Sequence, residues 1–192
     1  MIQLPSKDEC LELMAAHKML PHIREHSFRV MEVAAALGQA LKDAGFRLFL
    51  PLIETGALLH DLGKTPCLGT THNHALWGAE ILRTLGYPEV ARVVAEHVYL
   101  EENNGDPRPL REAEVVNYAD KRVLHTQVVP LTVRFADLME RYGRTPEARA
   151  RIAATASKTR DLEQKLFAPL SFGPLDLLRA HDHGLGLREA PR

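Results

Sequence analysis

His60 and Asp61 stand side by side at the end of an apolar run, Thr55-Gly-Ala-Leu-Leu-His-Asp-Leu-Gly-Lys64. Apolar neighbours do not call for such a pair, and a buried imidazole or carboxylate needs a partner. A metal ion is the partner we expect. Four more side chains qualify as donors to it: His26 inside Glu25-His-Ser-Phe, His74 and His97 near helix ends, and Asp120 in Val116-Asn-Tyr-Ala-Asp-Lys. Each has apolar neighbours. A mixed imidazole and carboxylate set without thiolate suits a divalent transition metal, namely Fe, Mn, Co, Ni or Zn. Adjacent residues on a helix point about 100° apart. His60 and Asp61 therefore reach one ion only if it lies against the flank of their helix. Other helices must supply the remaining ligands, and Asp61 can lean toward a second ion.

The elements that carry these residues read as helices. Ser6 with Glu9 three residues on is a capping box, opening a short helix that ends before Pro21. A second runs from Pro21 to near Gly45, with Ile23, Phe28, Val30, Val33, Ala34, Leu37 and Leu41 at helical spacing. The third starts at Pro51, is apolar nearly all round, and is stopped by Gly63 just after His60-Asp61. Thr65 to Asn73 reads as a polar loop. Further helices are expected over about 74–85, 88–99, 110–123, 129–142 and 146–167. Glu101 to Pro109 reads as a loop, its acidic part (Glu101 to Asp106) a solvated turn. A short helical piece is expected over 176–180. No run alternates at period two. The expected architecture is all-α: a single-domain bundle of about seven or eight helices over 1–168, with a C-terminal tail over 169–192.

The order His26, His60-Asp61, Asp120 resembles the HD superfamily of metal-dependent phosphohydrolases, and Leu59-His-Asp-Leu-Gly-Lys64 is similar to its signature segment. The resemblance covers roughly residues 22–142. His74 and His97 resemble the added ligands of the subset with two metals. The resemblance implies one ion on His26, His60, Asp61 and Asp120, and a second on His74 and His97, bridged by Asp61. It implies metal-activated water cleaving a phosphoester or phosphoanhydride of a small phosphorylated substrate, a nucleotide first among them. Asp61 and Lys64 are then the catalytic candidates. Lys64, Lys121, Arg122 and Arg134 are the candidates for phosphate contact. The same resemblance admits a di-iron oxygenase or a non-catalytic module that binds a signalling nucleotide.

Bulk properties narrow the field. A net charge of −1 gives no global basic field for a nucleic-acid polymer and no polybasic membrane patch. No stretch approaches the ~18 apolar residues of a membrane span. Cys10 and Cys67 form no CxxC pair and suggest reduced thiols, so the expected setting is cytoplasmic. A homo-oligomer is left open. Plainer roles stand beside several of the sharp ones. Lys121, Arg122 and Arg134 are ordinarily solvent-facing, His22 and His72 surface residues, and Trp77 a core residue. His181-Asp182-His183 repeats the dipeptide in a Gly-rich tail and is expected to be exposed.

Overall fold

In the computed structural model, residues 2–101 and 109–177 are described. They form eight helices of at least two turns, a one-turn helix and one small hairpin. The longer helices are α1 (Lys7–Ala16), α2 (Pro21–Asp43), α3 (Leu50–Leu59), α5 (His74–Thr84), α6 (Pro88–Ala95), α7 (Glu112–Arg122), α8 (Leu131–Tyr142) and α9 (Pro146–Phe167). The one-turn helix is α4 (Lys64–Cys67). The all-α reading holds. Local chemistry explains the boundaries. The capping box forms at α1, where Ser6 accepts from the Glu9 amide and Glu9 accepts from the Ser6 amide. Pro opens α2, α3, α6 and α9 within their first two positions, where no amide donor is needed.

α3 lies at the centre and packs against α1, α2, α6 and α7. Seven of its ten residues are buried, from Leu52 and Ile53 to Thr55 through Leu59. That matches its apolar circumference. Gly56 lets α6 come close, since a Cβ there would run into Val93. The result is a rigid post whose C-terminal end carries His60 and Asp61. α5 pairs with α6, and α8 with α9.

Three local expectations are corrected. Val123–Leu124 and Gln127–Val128 pair as an antiparallel hairpin. Two-residue strands are too short to show a period-two pattern. Lys64–Cys67 makes a helical turn where a loop was expected. Trp77 is 47% exposed on the outer face of α5, so it is not a core residue. Among the described residues no helix is long and apolar enough to cross a membrane. Asp176 and Leu177 are helical, and Leu177 is buried. Most of the acidic Glu101 to Asp106 turn, the remainder of the 176–180 piece and His181-Asp182-His183 lie outside the described residues.

Candidate metal centre

Five elements deliver the six donors to one place. His26 comes from the middle of α2. His60 caps α3, and Asp61 follows it in the turn. His74 opens α5. His97 follows the end of α6, and Asp120 sits late on α7. Gly63 makes the approach of α5 possible: a Cβ there would run into the His74 carbonyl and the Gly78 amide. Asn73 caps α5 by accepting from the Ala75 amide, which fixes where His74 begins.

The imidazoles are oriented from behind. His60 Nδ1 donates to the Ala57 carbonyl at 2.7 Å, and His97 Nδ1 donates to the Val94 carbonyl at 2.7 Å. Both rings bend back onto a carbonyl of the preceding helical turn; the Val94 carbonyl also accepts from the His97 amide at 3.3 Å. His26 Nδ1 donates to the His125 carbonyl at 2.9 Å. With the proton held at Nδ1, each Nε2 presents a lone pair inward.

What they face is a tight set of donors. His26 Nε2 lies 3.1 Å from Asp120 Oδ1, and His60 Nε2 lies 3.7 Å from the same oxygen. Asp61 divides its two oxygens. Oδ2 is 3.4 Å from His60 Nε2, while Oδ1 is 3.3 Å from His74 Nε2 and 3.7 Å from His97 Nε2. Two buried donor groups result, His26 with His60 and Asp120, and His60 with Asp61 and His97. Within each, one donor atom per residue lies within 4.8 Å of the others. His60 is shared between them, and His74 stands at the edge of the second.

A cation fits this arrangement. His60 Nε2 is fully buried and has no hydrogen-bond partner, a costly state for a lone pair. His74 and His97 bring their Nε2 atoms to 3.1 Å. Two lone pairs at that distance repel unless a proton or a cation serves both. Burial pushes the His97 pKa down to about 4, so His97 stays neutral and keeps its Nε2 lone pair for a cation or for a proton donated by neutral His74. The oxygen and nitrogen donor set suits a divalent transition metal.

The carboxylates are held ionised. Burial works against it, but His60 and Lys64 outweigh burial at Asp61, and Lys121 and His26 do so at Asp120. Both carboxyls stay well below the usual range. Burial also opposes charge on His60, yet Asp61 and Asp120 raise its pKa. The two histidines give the metal-free protein opposite pH arms. Below about 6.5 the unfolded chain protonates His97 and the folded chain does not, so stability falls until about pH 4. The displacement is worth on the order of 3 kcal/mol. The His60 contribution is complete below 6.5 and is lost as pH rises through its raised value. Thermal unfolding of chelated protein should therefore be latest near pH 6.5 and earlier on both sides. A flat profile from pH 5 to 8 would contradict these environments.

The cationic candidates separate. Lys64 Nζ lies 2.7 Å from Asp61 Oδ2 and lines the cavity above the donors. Lys121 is buried rather than solvent-facing. Its Nζ gives hydrogen bonds to the His97 carbonyl at 2.5 Å and to Asp120 Oδ2 at 3.2 Å. It links the two donor groups. Replacing it with Met should lower metal affinity by about 10–100-fold with helix content unchanged, read by metal titration; an unchanged affinity would remove that role. Arg122 is a correction. Its guanidinium is buried away from the cavity, bonded to the Val129 and Pro174 carbonyls, Tyr118 and Glu163. It ties α7 to α9. Arg134 lines the cavity from α8, and exposed His22 stands at its rim. His72 instead lies with its ring 5.7 Å from that of Trp77 and tilted by 46°.

The cavity holds about 390 Å³, at the small end of small-molecule sites. Sequence reasoning missed part of it. Asn117 donates to the carbonyls of Glu96 and His97 at 2.9 and 3.0 Å, anchoring the His97 turn. Its place one turn before Asp120 was a usable signal. The His125 carbonyl was not legible. Its φ of 56° is unusual for a residue with a side chain, and no Gly or Asn marks it.

A model of the HD domain family matches residues 23–123. An uncharacterized protein of Methanocaldococcus jannaschii is 39% identical over 39% of this chain and 43% of its own length. The tRNA (cytidine(56)-2'-O)-methyltransferase of Thermoplasma volcanium is 32% identical over 50% of this chain and 26% of its own length. The enzyme of the same name from Picrophilus torridus is 28% identical over 72% of this chain and 41% of its own. The chain spans less than half the length of these curated relatives. A solved structure of a predicted HD superfamily hydrolase from an uncultured Thermotogales bacterium aligns over 88% of this chain and 95% of that one. Its TM-score is 0.47 and its identity 22%.

Proposed function

The chain belongs to the HD domain family, and from that premise we propose that it is a metal-dependent phosphohydrolase acting on a small phosphorylated compound of nucleotide size or less. The observation that carries this is the fully buried, unpartnered His60 Nε2, set among carboxylates and further imidazoles, of which His26, Asp61, His74, His97 and Asp120 line a cavity that also holds Lys64, Lys121 and Arg134. His26, His60, Asp61 and Asp120 would hold one divalent ion, and His74 and His97, with Asp61, a second. A bound ion of this kind supplies Lewis acidity, bringing the pKa of water toward neutrality and offsetting phosphoryl charge.

The side chains do the rest. Asp61 orients the floor by facing the shared His60 with one oxygen and His74 and His97 with the other. Lys64 stands where its ammonium can follow negative charge onto a phosphoryl oxygen as it develops. Lys121 keeps Asp120 and the His97 turn in register. In the reaction, water oxygen bonds to phosphorus and the phosphorus–oxygen bond to the organic group breaks. The electron pair leaves on the organic oxygen, which takes a proton from the water. The products are an alcohol and hydrogen phosphate, or two phosphates from an anhydride. Unpaired Cys10 and Cys67 support a cytoplasmic setting.

The test is turnover of p-nitrophenyl phosphate by the full chain, dependent on added divalent metal and absent from an Asp61→Ala variant that keeps its helix content. Tight nucleotide binding without turnover under any divalent metal would sink the proposal.

A further inference from the structure

The cavity has two unlike sides. Its floor is the His/Asp cluster, built within the stretch 23–123 that matches the family. The facing wall comes from α8 and α9, beyond that stretch. It presents Phe135, Leu138, Tyr142 and Ile152, the hydroxyl-bearing Thr155, and two cations, Arg134 and Arg141.

The floor cations pair with the carboxylates of the donor cluster: Lys64 with Asp61, and Lys121 with Asp120 and the His97 carbonyl. Arg134 is different. Its Nη1 donates to Asp137 at 3.1 Å, while its Nε is buried with no hydrogen-bond partner. The side chain is only 12% exposed. Asp137 also faces Arg141 at 3.5 Å, so one carboxylate serves two guanidinium groups and the wall keeps positive charge. A guanidinium is permanently charged and carries five N–H donors suited to phosphate oxygens, of which Asp137 takes one on Arg134.

Resting on the phosphohydrolase reading, we infer that Arg134 grips the phosphoryl group, and that the α8–α9 wall makes the substrate a phosphate monoester with a compact apolar or aromatic organic part. A monoester has three non-bridging oxygens. One can take a guanidinium N–H of Arg134 that Asp137 leaves unused while the other two face the floor. A diester has only two and one negative charge, so floor and wall compete for them. A polyol phosphate would set hydroxyls against Phe135, Leu138 and Ile152, where they lack partners.

The experiment compares wild type and Arg134→Gln on p-nitrophenyl phosphate and bis-p-nitrophenyl phosphate, with metal per chain and calorimetric binding of inorganic phosphate measured alongside. For the monoester, kcat/KM falls about 100-fold with a raised KM, and for the diester less than about tenfold. Phosphate binding weakens, metal content is unchanged, and Arg134→Lys recovers only part of the loss. Wild type also prefers benzyl phosphate to glycerol phosphate by about tenfold or more. Equal losses on both esters, or a fall in metal content, overturn the role of Arg134 while the hydrolase reading stands. Parity between benzyl and glycerol phosphate overturns the apolar assignment. A wild type that turns over neither nitrophenyl ester under any divalent metal overturns the reading and this inference together.

Discussion

Asp61→Asn should cost on the order of 10³-fold in turnover of p-nitrophenyl phosphate and leave the helix content intact. Asp61 is 1% exposed and uses both oxygens. Oδ2 faces His60 at 3.4 Å and Lys64 at 2.7 Å, and Oδ1 faces His74 at 3.3 Å. An amide keeps the shape but has one oxygen and no charge. Its NH2 group would point at one of the two donor groups, where a cation is to sit. Lys64 loses its partner as well. Its side chain is 34% exposed, so the stability cost stays below the ~3–5 kcal/mol of a fully buried pair. Folded protein with little activity is the expected outcome. Activity within tenfold of wild type would contradict a shared carboxylate at the centre of the site.

Saturating divalent metal should raise the melting temperature of the chelated protein by about 10 °C. An ion that binds only the folded chain stabilises it by about 4 kcal/mol at a thousandfold excess over Kd. For a chain of this size each kcal/mol moves the melting point by about 2–4 °C. The six donors come from five elements spread between residues 26 and 120, so the unfolded chain does not gather them. The same addition to Asp61→Asn should give a much smaller rise. An equal rise in both proteins would mean that the ion binds elsewhere.

The gathering of the His and Asp side chains was legible because these residues obey rules that sequence displays. His60 and Asp61 end a helix whose apolar circumference announces a buried post. His74 opens the helix that the Asn73 cap begins, and His97 follows the end of the helix that Pro88 opens. What stayed hidden is direction. Lys121 and Arg122 are neighbours on α7, about 100° apart. One turns to the donor cluster and the other to Glu163, 41 residues away on α9. That choice depends on how α9 packs, which no local pattern encodes. Trp77 misled for a similar reason. Its size suggested core, but α5 turns that face outward. The α8–α9 wall was read as two helices, the first begun two residues early at 129 and the second with the right limits, yet only Arg134 was singled out from it.

The most direct measurement is the metal content of the purified full chain, reconstituted anaerobically and freed of excess ion, beside Asp61→Asn treated identically. Two divalent ions per wild-type chain, with a clear loss in the variant, is the expected result. A wild type that retains no ion, or a variant that retains as many as wild type, would contradict the metal centre at His60 and Asp61.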